Sequence, residues 1–291
     1  MPIPLEKPLR EHLIRDYEHK FHLSSTVVYQ SSNPEGGAYN ADHIFFEINK
    51  SKLKLFANLS FSFGNGINDV FEEEGFYSLP SADDLERQIK NINNSGRKYL
   101  LEAGLSYSEK WLELTAGLID TTGTFDTLNY ANDELSQFMN TDLVNNPLSL
   151  LPSYNLGMIL NLNYKIFGFS FGVSDGKPDA ESVYLFQGEV KGGNLHISVH
   201  YFYAPYENVS GAGLGGDYTL GNLGFFFRLG KNSEEYYDYF TSSGIVYSFG
   251  KQELGIGGAF RKGNKEKSVS VGEFYYKHNL PYSSHITLTL M

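Results

Sequence analysis

The stretch Gly117 to Asn140, "GLIDTTGTFDTLNYANDELSQFMN", concentrates the side chains best suited to holding a polyhydroxylated solute. Asp120, Asp126, Asn129, Asn132, Asp133, Glu134, Gln137 and Asn140 supply carboxylates and amides that can pair with rows of hydroxyls. Phe125, Tyr130 and Phe138 supply flat apolar faces on which a sugar ring can stack. The competing reading is a structural loop whose Asn and Asp satisfy turns, and residue by residue that reading is the stronger one. Arg97 and Arg228 join the candidates, because a planar guanidinium can span two hydroxyls or balance carboxylates across a constriction. Lys52, Lys54, Glu102 and Glu113 share the polar phase of their segments and read as general lining.

Other combinations fail on geometry. His196 and His200 share a strand face, but four strand residues span about 13 Å, too far to hold one metal jointly. "GAGLGG" (211–216) matches a nucleotide-loop spacing in form only and reads as a flexible loop. No nucleophile motif is present, so a catalytic cycle is not expected, and neither is a cofactor.

The elements that must position these residues follow from alternation. In "KLKLFANLSFSFG" (52–64), Leu53, Leu55, Ala57, Leu59, Phe61 and Phe63 fall on one face and Lys52, Lys54, Asn58, Ser60 and Ser62 on the other. Side chains alternate across a strand, so this is a β-strand with one apolar and one polar face. The pattern recurs along the chain and predicts strands starting near Phe21, Asp42, Lys52, Arg97, Trp111, Tyr154, Phe167, Tyr184, Asn194, Asp217, Asn222, Phe240, Gln252, Ser268 and Ser284. In Val269 to Tyr276, Glu273 falls in phase with Val269 and Val271, which predicts a bulge.

Short connections at one end ("NKS", "SEK", "KI", "GG", "GKQ") alternate with long ones (65–96, 120–153, 175–182, 204–216, 231–239). Such asymmetry belongs to a transmembrane antiparallel β-barrel, whose apolar face lipid covers. A soluble glycan-binding β-sandwich would show the same alternation, but its polar face would be richer in Lys and Glu than this Asn-, Ser-, Gly- and His-rich one.

Composition agrees. Against a single Trp the 291 residues hold 21 Tyr, 22 Phe and 30 Gly, which favours an all-β chain. No apolar run reaches the ~18 residues of a transmembrane helix. There is no cysteine, hence no disulfide and no thiol chemistry. A net charge of −11 argues against nucleic acid as a partner. The opening "MPIPLEKPLREHLIRDYEHK" shows no signal-peptide core, as in a mature form with an added Met1 or an unexported chain.

The central stretch also resembles the carbohydrate-selective porin (OprB) family. The likeness rests on Gly117, Ile119 and Asp120, on "FDTLNYANDE" (125–134), "QFMN" (137–140) and Asn145, Asn146 and Pro147. It is supported by "GVSDGKPDA" (172–180), "FFFRLG" (225–230), "LGIGGAF" (254–260) and "EFYYK" (273–277). It implies a sixteen-stranded bacterial outer-membrane barrel that passes sugars, with the segment around 120–153 folded inward to narrow the pore. The chain departs from the family by ending at "HITLTLM", about one strand early and without a terminal aromatic residue.

The resulting expectation is a barrel of about 14–16 strands over 21–291, preceded by a periplasmic segment over 1–20 with a candidate short helix. "SADDLERQI" (81–89) is a candidate loop helix. The function expected is passive diffusion of sugars and small polar solutes across the bacterial cell outer membrane. Carbohydrate and membrane lipid are the partners, and association into homo-oligomers is left open. The alternatives are a cation-tolerant general pore, the glycan-binding sandwich and, more distantly, an outer-membrane enzyme.

Overall fold

The computed structural model describes residues 18–32, 34–76, 78–81, 85–91, 99–175 and 182–291. Among the described residues fifteen strands form one antiparallel sheet in strict chain order. They are β1 (Glu18–Ser32), β2 (Glu35–Lys50), β3 (Leu53–Phe63), β4 (Leu100–Glu109), β5 (Leu112–Ile119), β6 (Asn155–Tyr164), β7 (Phe167–Asp175) and β8 (Ser182–Gly192). The remainder are β9 (Leu195–Ala204), β10 (Val209–Leu220), β11 (Leu223–Asn232), β12 (Tyr237–Phe249), β13 (Gln252–Gly263), β14 (Val269–Asn279) and β15 (His285–Leu290). Among the described residues three short helices lie in loops: α1 (Asn68–Glu73) and α2 (Glu86–Asn91) between β3 and β4, and α3 (Thr141–Val144) between β5 and β6. No helix among the described residues is long and apolar enough to cross a membrane.

The alternation becomes an inside and an outside. Along β9, Leu195, Ile197, Val199, Tyr201 and Tyr203 are exposed outward, while His196, Ser198, His200, Phe202 and Ala204 are buried inward. The outer face of β7 exposes Phe167, Phe169 and Phe171, and that of β6 exposes Leu156, Met158 and Tyr164. Aromatic residues gather at both rims, with Tyr107, Trp111, Tyr164, Tyr218 and Tyr247 near the short turns and Tyr29, Tyr184, Tyr203 and Tyr239 toward the loops.

The turns at one end leave two residues between successive strands, except for the five between β14 and β15. Ser51, Lys165, Gly193, Gly221 and Gly250 take φ between 55° and 62° in them, the left-handed conformation that a tight hairpin demands.

Three strand expectations need correction. β2 starts at Glu35, not near Asp42, because Tyr39 and Ala41 are its inward residues while Asn40 lies outward, which inverts the usual pattern. β10 starts at Val209, so "GAGLGG" is strand, not loop. Its inward positions Gly211 and Gly213 make room for neighbours: a Cβ there would sit 2.4 Å from the Phe202 ring and 2.2 Å from the His200 ring. β14 pairs with β13 without a bulge, and Glu273 points inward. Glu18 to Lys20 belong to β1, and residues 1–17, which carry most of the expected N-terminal helix, lie outside the described residues.

The hydrophobic core lies inside the barrel, between the wall and the segment joining β5 to β6. One cluster joins Leu128, Ala131, Phe138, Leu143 and Leu148 of the segment to Phe226, Phe240, Val246, Ala259 and Tyr275 of the wall. A second joins Ile119 and Phe125 to Ile159, Val183, Leu185, Phe202 and Ala204.

Candidate functional site

The segment 120–154 leaves β5, turns inward and is fastened to β8–β15. Being short of regular structure, its backbone must find partners elsewhere, and the wall supplies them. Arg228 is completely buried and gathers three carbonyls. Its Nη1 donates to Leu143 O at 2.8 Å, and its Nη2 donates to Ala131 O at 2.6 Å and Asp126 O at 3.1 Å. Its Nε lies 3.1 Å from Asp126 Oδ2, which also accepts from the Asn146 N–H at 2.7 Å.

Glu273 accepts from the N–H groups of Met139 (2.8 Å) and Asn140 (3.1 Å). Gln187 accepts from Asp126 N (3.0 Å) and donates to Thr124 O (3.1 Å). Asp217 accepts from both nitrogens of Asn129, at 3.1 Å and 2.5 Å. Arg261 Nε donates to Asp142 Oδ2 at 2.8 Å; burial pushes the Asp142 carboxyl above the usual range, against the pull of that guanidinium.

The aromatic side chains of the segment have seats cut by wall glycines. A Cβ at Gly172 would lie 3.0 Å from the Phe125 ring, one at Gly224 2.3 Å from Tyr130, and one at Gly257 3.0 Å from Phe138. Phe138 also packs edge-on against Tyr275, with ring centroids 4.9 Å apart.

These contacts divide the sequence candidates. Phe125, Asp126, Phe138, Asn140 and Arg228 are buried in the joint between segment and wall, so they hold the segment and present no face to a solute. That corrects the expectation of a lining role for them. Asp120, Asn129, Asn132, Asp133, Glu134 and Gln137 keep exposed surface, and Tyr130 is half-buried with its hydroxyl 2.5 Å from Thr219 Oγ1. Gln137 and Asp133 also stabilise local turns: Gln137 bridges Asn132 N and Asn129 O, and Asp133 accepts from Leu135 N and Ser136 N. Arg97 lies outside the described residues.

The loop between β3 and β4 also meets the segment. Ser78 Oγ donates to Asn140 Oδ1 at 2.8 Å, and Leu79 and Thr141 exchange two hydrogen bonds.

Sequence reasoning missed Glu273, Gln187, Asp217 and Arg261 as anchors. A signal existed for Glu273, whose inward phase was assigned to a bulge. Toward the short-turn end the inward-facing charges pair off: Lys20 with Glu47 (3.3 Å), Lys54 with Glu113 (3.9 Å), Lys191 with Glu189 (3.0 Å) and Lys277 with Glu253 (2.7 Å).

No family model matches the chain. A protein of Aquifex aeolicus (strain VF5), described only as uncharacterized, is 52% identical over 281 residues, covering 96% of this chain and 91% of that protein. This chain belongs to the same family. Among solved structures, a high-pH structure of Pseudomonas putida OprB superposes with a TM-score of 0.72 at 10% identity, covering 97% of this chain and 90% of that one. A mutant of the Rh. blastica porin superposes with a TM-score of 0.61 at 11% identity, covering 94% and 91%. At this identity the likeness shows the fold: this chain is a porin-like β-barrel.

Proposed function

We propose that the chain is an outer-membrane diffusion channel that admits sugars and other small polar solutes. The observation that carries the reading is the arrangement of the two faces: an exposed apolar belt around the outside, inward-facing polar and charged side chains, and a segment packed and hydrogen-bonded against the inner wall. A belt of this extent needs an apolar cover, which a bilayer provides and water does not. A soluble sandwich would bury the same side chains between two sheets, whereas here they face outward from a single one.

Two features favour neutral polyhydroxylated solutes over ions. The exposed groups of the segment are amides and carboxylates suited to hydroxyls. The named inward-facing cations are each matched by a carboxylate at 2.7 to 3.9 Å, which weakens any field that would select ions by sign. Passage would run down a gradient without a catalytic cycle.

Swelling of liposomes reconstituted with the purified chain tests the proposal, comparing glucose, a disaccharide and a neutral non-sugar of similar size. Faster swelling in the sugars is expected. Equal rates for all three would leave a non-selective pore, and no swelling after confirmed insertion would refute the channel.

A further inference from the structure

On the inner wall, His196 of β9 stands between two carboxylates. Its Nδ1 is 3.2 Å from Asp217 Oδ2 on β10, and its Nε2 is 3.3 Å from Glu189 Oε2 on β8. Its side chain is 6% exposed and that of Asp217 is 1% exposed, so water does little of the bonding here. A neutral imidazole has one N–H and one lone pair, so it could satisfy only one of the two acceptors and would turn its lone pair on the other. Only the imidazolium donates at both nitrogens.

The cluster is wired to the inward segment. Asp217 holds both nitrogens of Asn129. Glu189 Oε2 also lies 3.4 Å from Gln187 Nε2, and Gln187 holds Thr124 and Asp126. Tyr130, next in the chain, is seated on Gly224 and bonded to Thr219. The other charged neighbour is Lys191, which sits on Glu189 at 3.0 Å. A recess of about 300 Å³ opens beside this corner, lined in part by Asn129, Lys191, Asn194, His196, Asp217 and Thr219.

We infer that His196 is a positioning residue for the constriction, held as an imidazolium between Glu189 and Asp217 and thereby fixing the 124–130 corner of the segment to β8–β10. Removing its proton leaves one carboxylate facing a lone pair, weakens the hold on Asp217 and lets the Asn129 corner lift. The passage beside that corner then becomes wider and noisier at alkaline pH. The inference rests on reading the segment as the constriction of a channel.

Hydrogen exchange of the folded barrel in detergent, read by mass spectrometry on peptides covering 124–130, tests it without needing current. After correction for intrinsic rates, the wild type should exchange about tenfold or more faster at about pH 9.5 than at about pH 6, the loss expected for one charge-assisted hydrogen bond. His196→Asn should exchange fast at both values. His196→Arg, which keeps a charge and opposed donors, should stay protected at the higher one. A wild type with no pH step, or an H196N variant as protected as the wild type, overturns the inference. If H196N does not fold, the wild-type step and its absence in H196R decide the matter. Single-channel recordings should show greater open-state noise over the same pH range. Absent current with the exchange step intact would refute the channel reading and leave the positioning role standing.

Discussion

Arg228→Leu is the sharpest test of how the inward segment is held. The substitution removes donors to three carbonyls and the counter-charge of Asp126, and every one of these groups is in the interior of the joint. Removing one member of a buried ion pair costs about 3–5 kcal/mol, because the remaining charge stays desolvated. Asp126 retains only part of its support, chiefly the Asn146 N–H at 2.7 Å. The loss falls on the docking of the segment, since the wall is held by its own continuous ladder from β1 to β15.

The equilibrium between docked and lifted segment should therefore shift by about 10²- to 4 × 10³-fold while the barrel still forms. The assay pairs a folding readout, the heat-dependent gel shift of the detergent-folded barrel, with limited proteolysis of the 120–153 segment. Normal folding with much faster cleavage is the expected result. The double variant D126L/R228L, which removes both charges, should recover part of the protection. Unchanged protection in R228L would refute the assignment of Arg228 as the anchor, and failure of the wall to fold would refute the separation of wall from segment.

Three further outcomes follow from the same contacts. Phe171→Arg, in the middle of β7 on the outer face, should lower membrane assembly by about 2–4 kcal/mol, and Leu55→Arg, near the short-turn end of β3, by less; equal and wild-type folding yields in lipid vesicles would contradict the assigned outer face. Lys54→Gln with Lys277→Gln strips the cations from two inward pairs and should move the reversal potential in a salt gradient toward cation preference, with no shift if those pairs do not line the path. Gly224→Ala places a methyl where the Tyr130 ring sits and should cost about 1–3 kcal/mol of segment docking, read as faster proteolysis near Tyr130.

The barrel was legible because period-two alternation is a local signal that survives in every strand with large outward side chains. It failed where that contrast is missing. In the first half of β10 the inward positions are glycines, so nothing marked Gly211 and Gly213 as wall. In the first half of β2 the apolar residues Tyr39 and Ala41 point inward to a covered interior, so the pattern runs in reverse. At Glu273 a charged residue in an apolar phase looked like a register fault, although it was a correct report that the phase faces inward. The segment itself was recognisable from its density of amides, carboxylates and rings. Its attachments were not, because Arg228 and the Asp126 carbonyl it holds are separated by 102 positions and leave no local trace.

The division of labour inside the barrel follows from one requirement. A segment that crosses an interior without forming helix or strand exposes N–H and C=O groups that must be paired, and the available partners are the inward polar residues of the wall. Glu273, Gln187 and Asp217 take its N–H groups, and Arg228 and Gln187 give to its carbonyls. Residues spent in this way are removed from the set that can meet a solute, however suitable their chemistry looks in the sequence. Burial makes the same selection among the aromatics, turning Phe125 and Phe138 into anchors and leaving Tyr130 partly open. On the proposed function, selectivity would reside in the remainder: the exposed amides and carboxylates of 120–137 and the paired charges toward the short turns. Substitutions of the spent residues should act on the position and mobility of the segment, and substitutions of the remainder on the choice among solutes, which is a separation that swelling rates and proteolysis can measure independently.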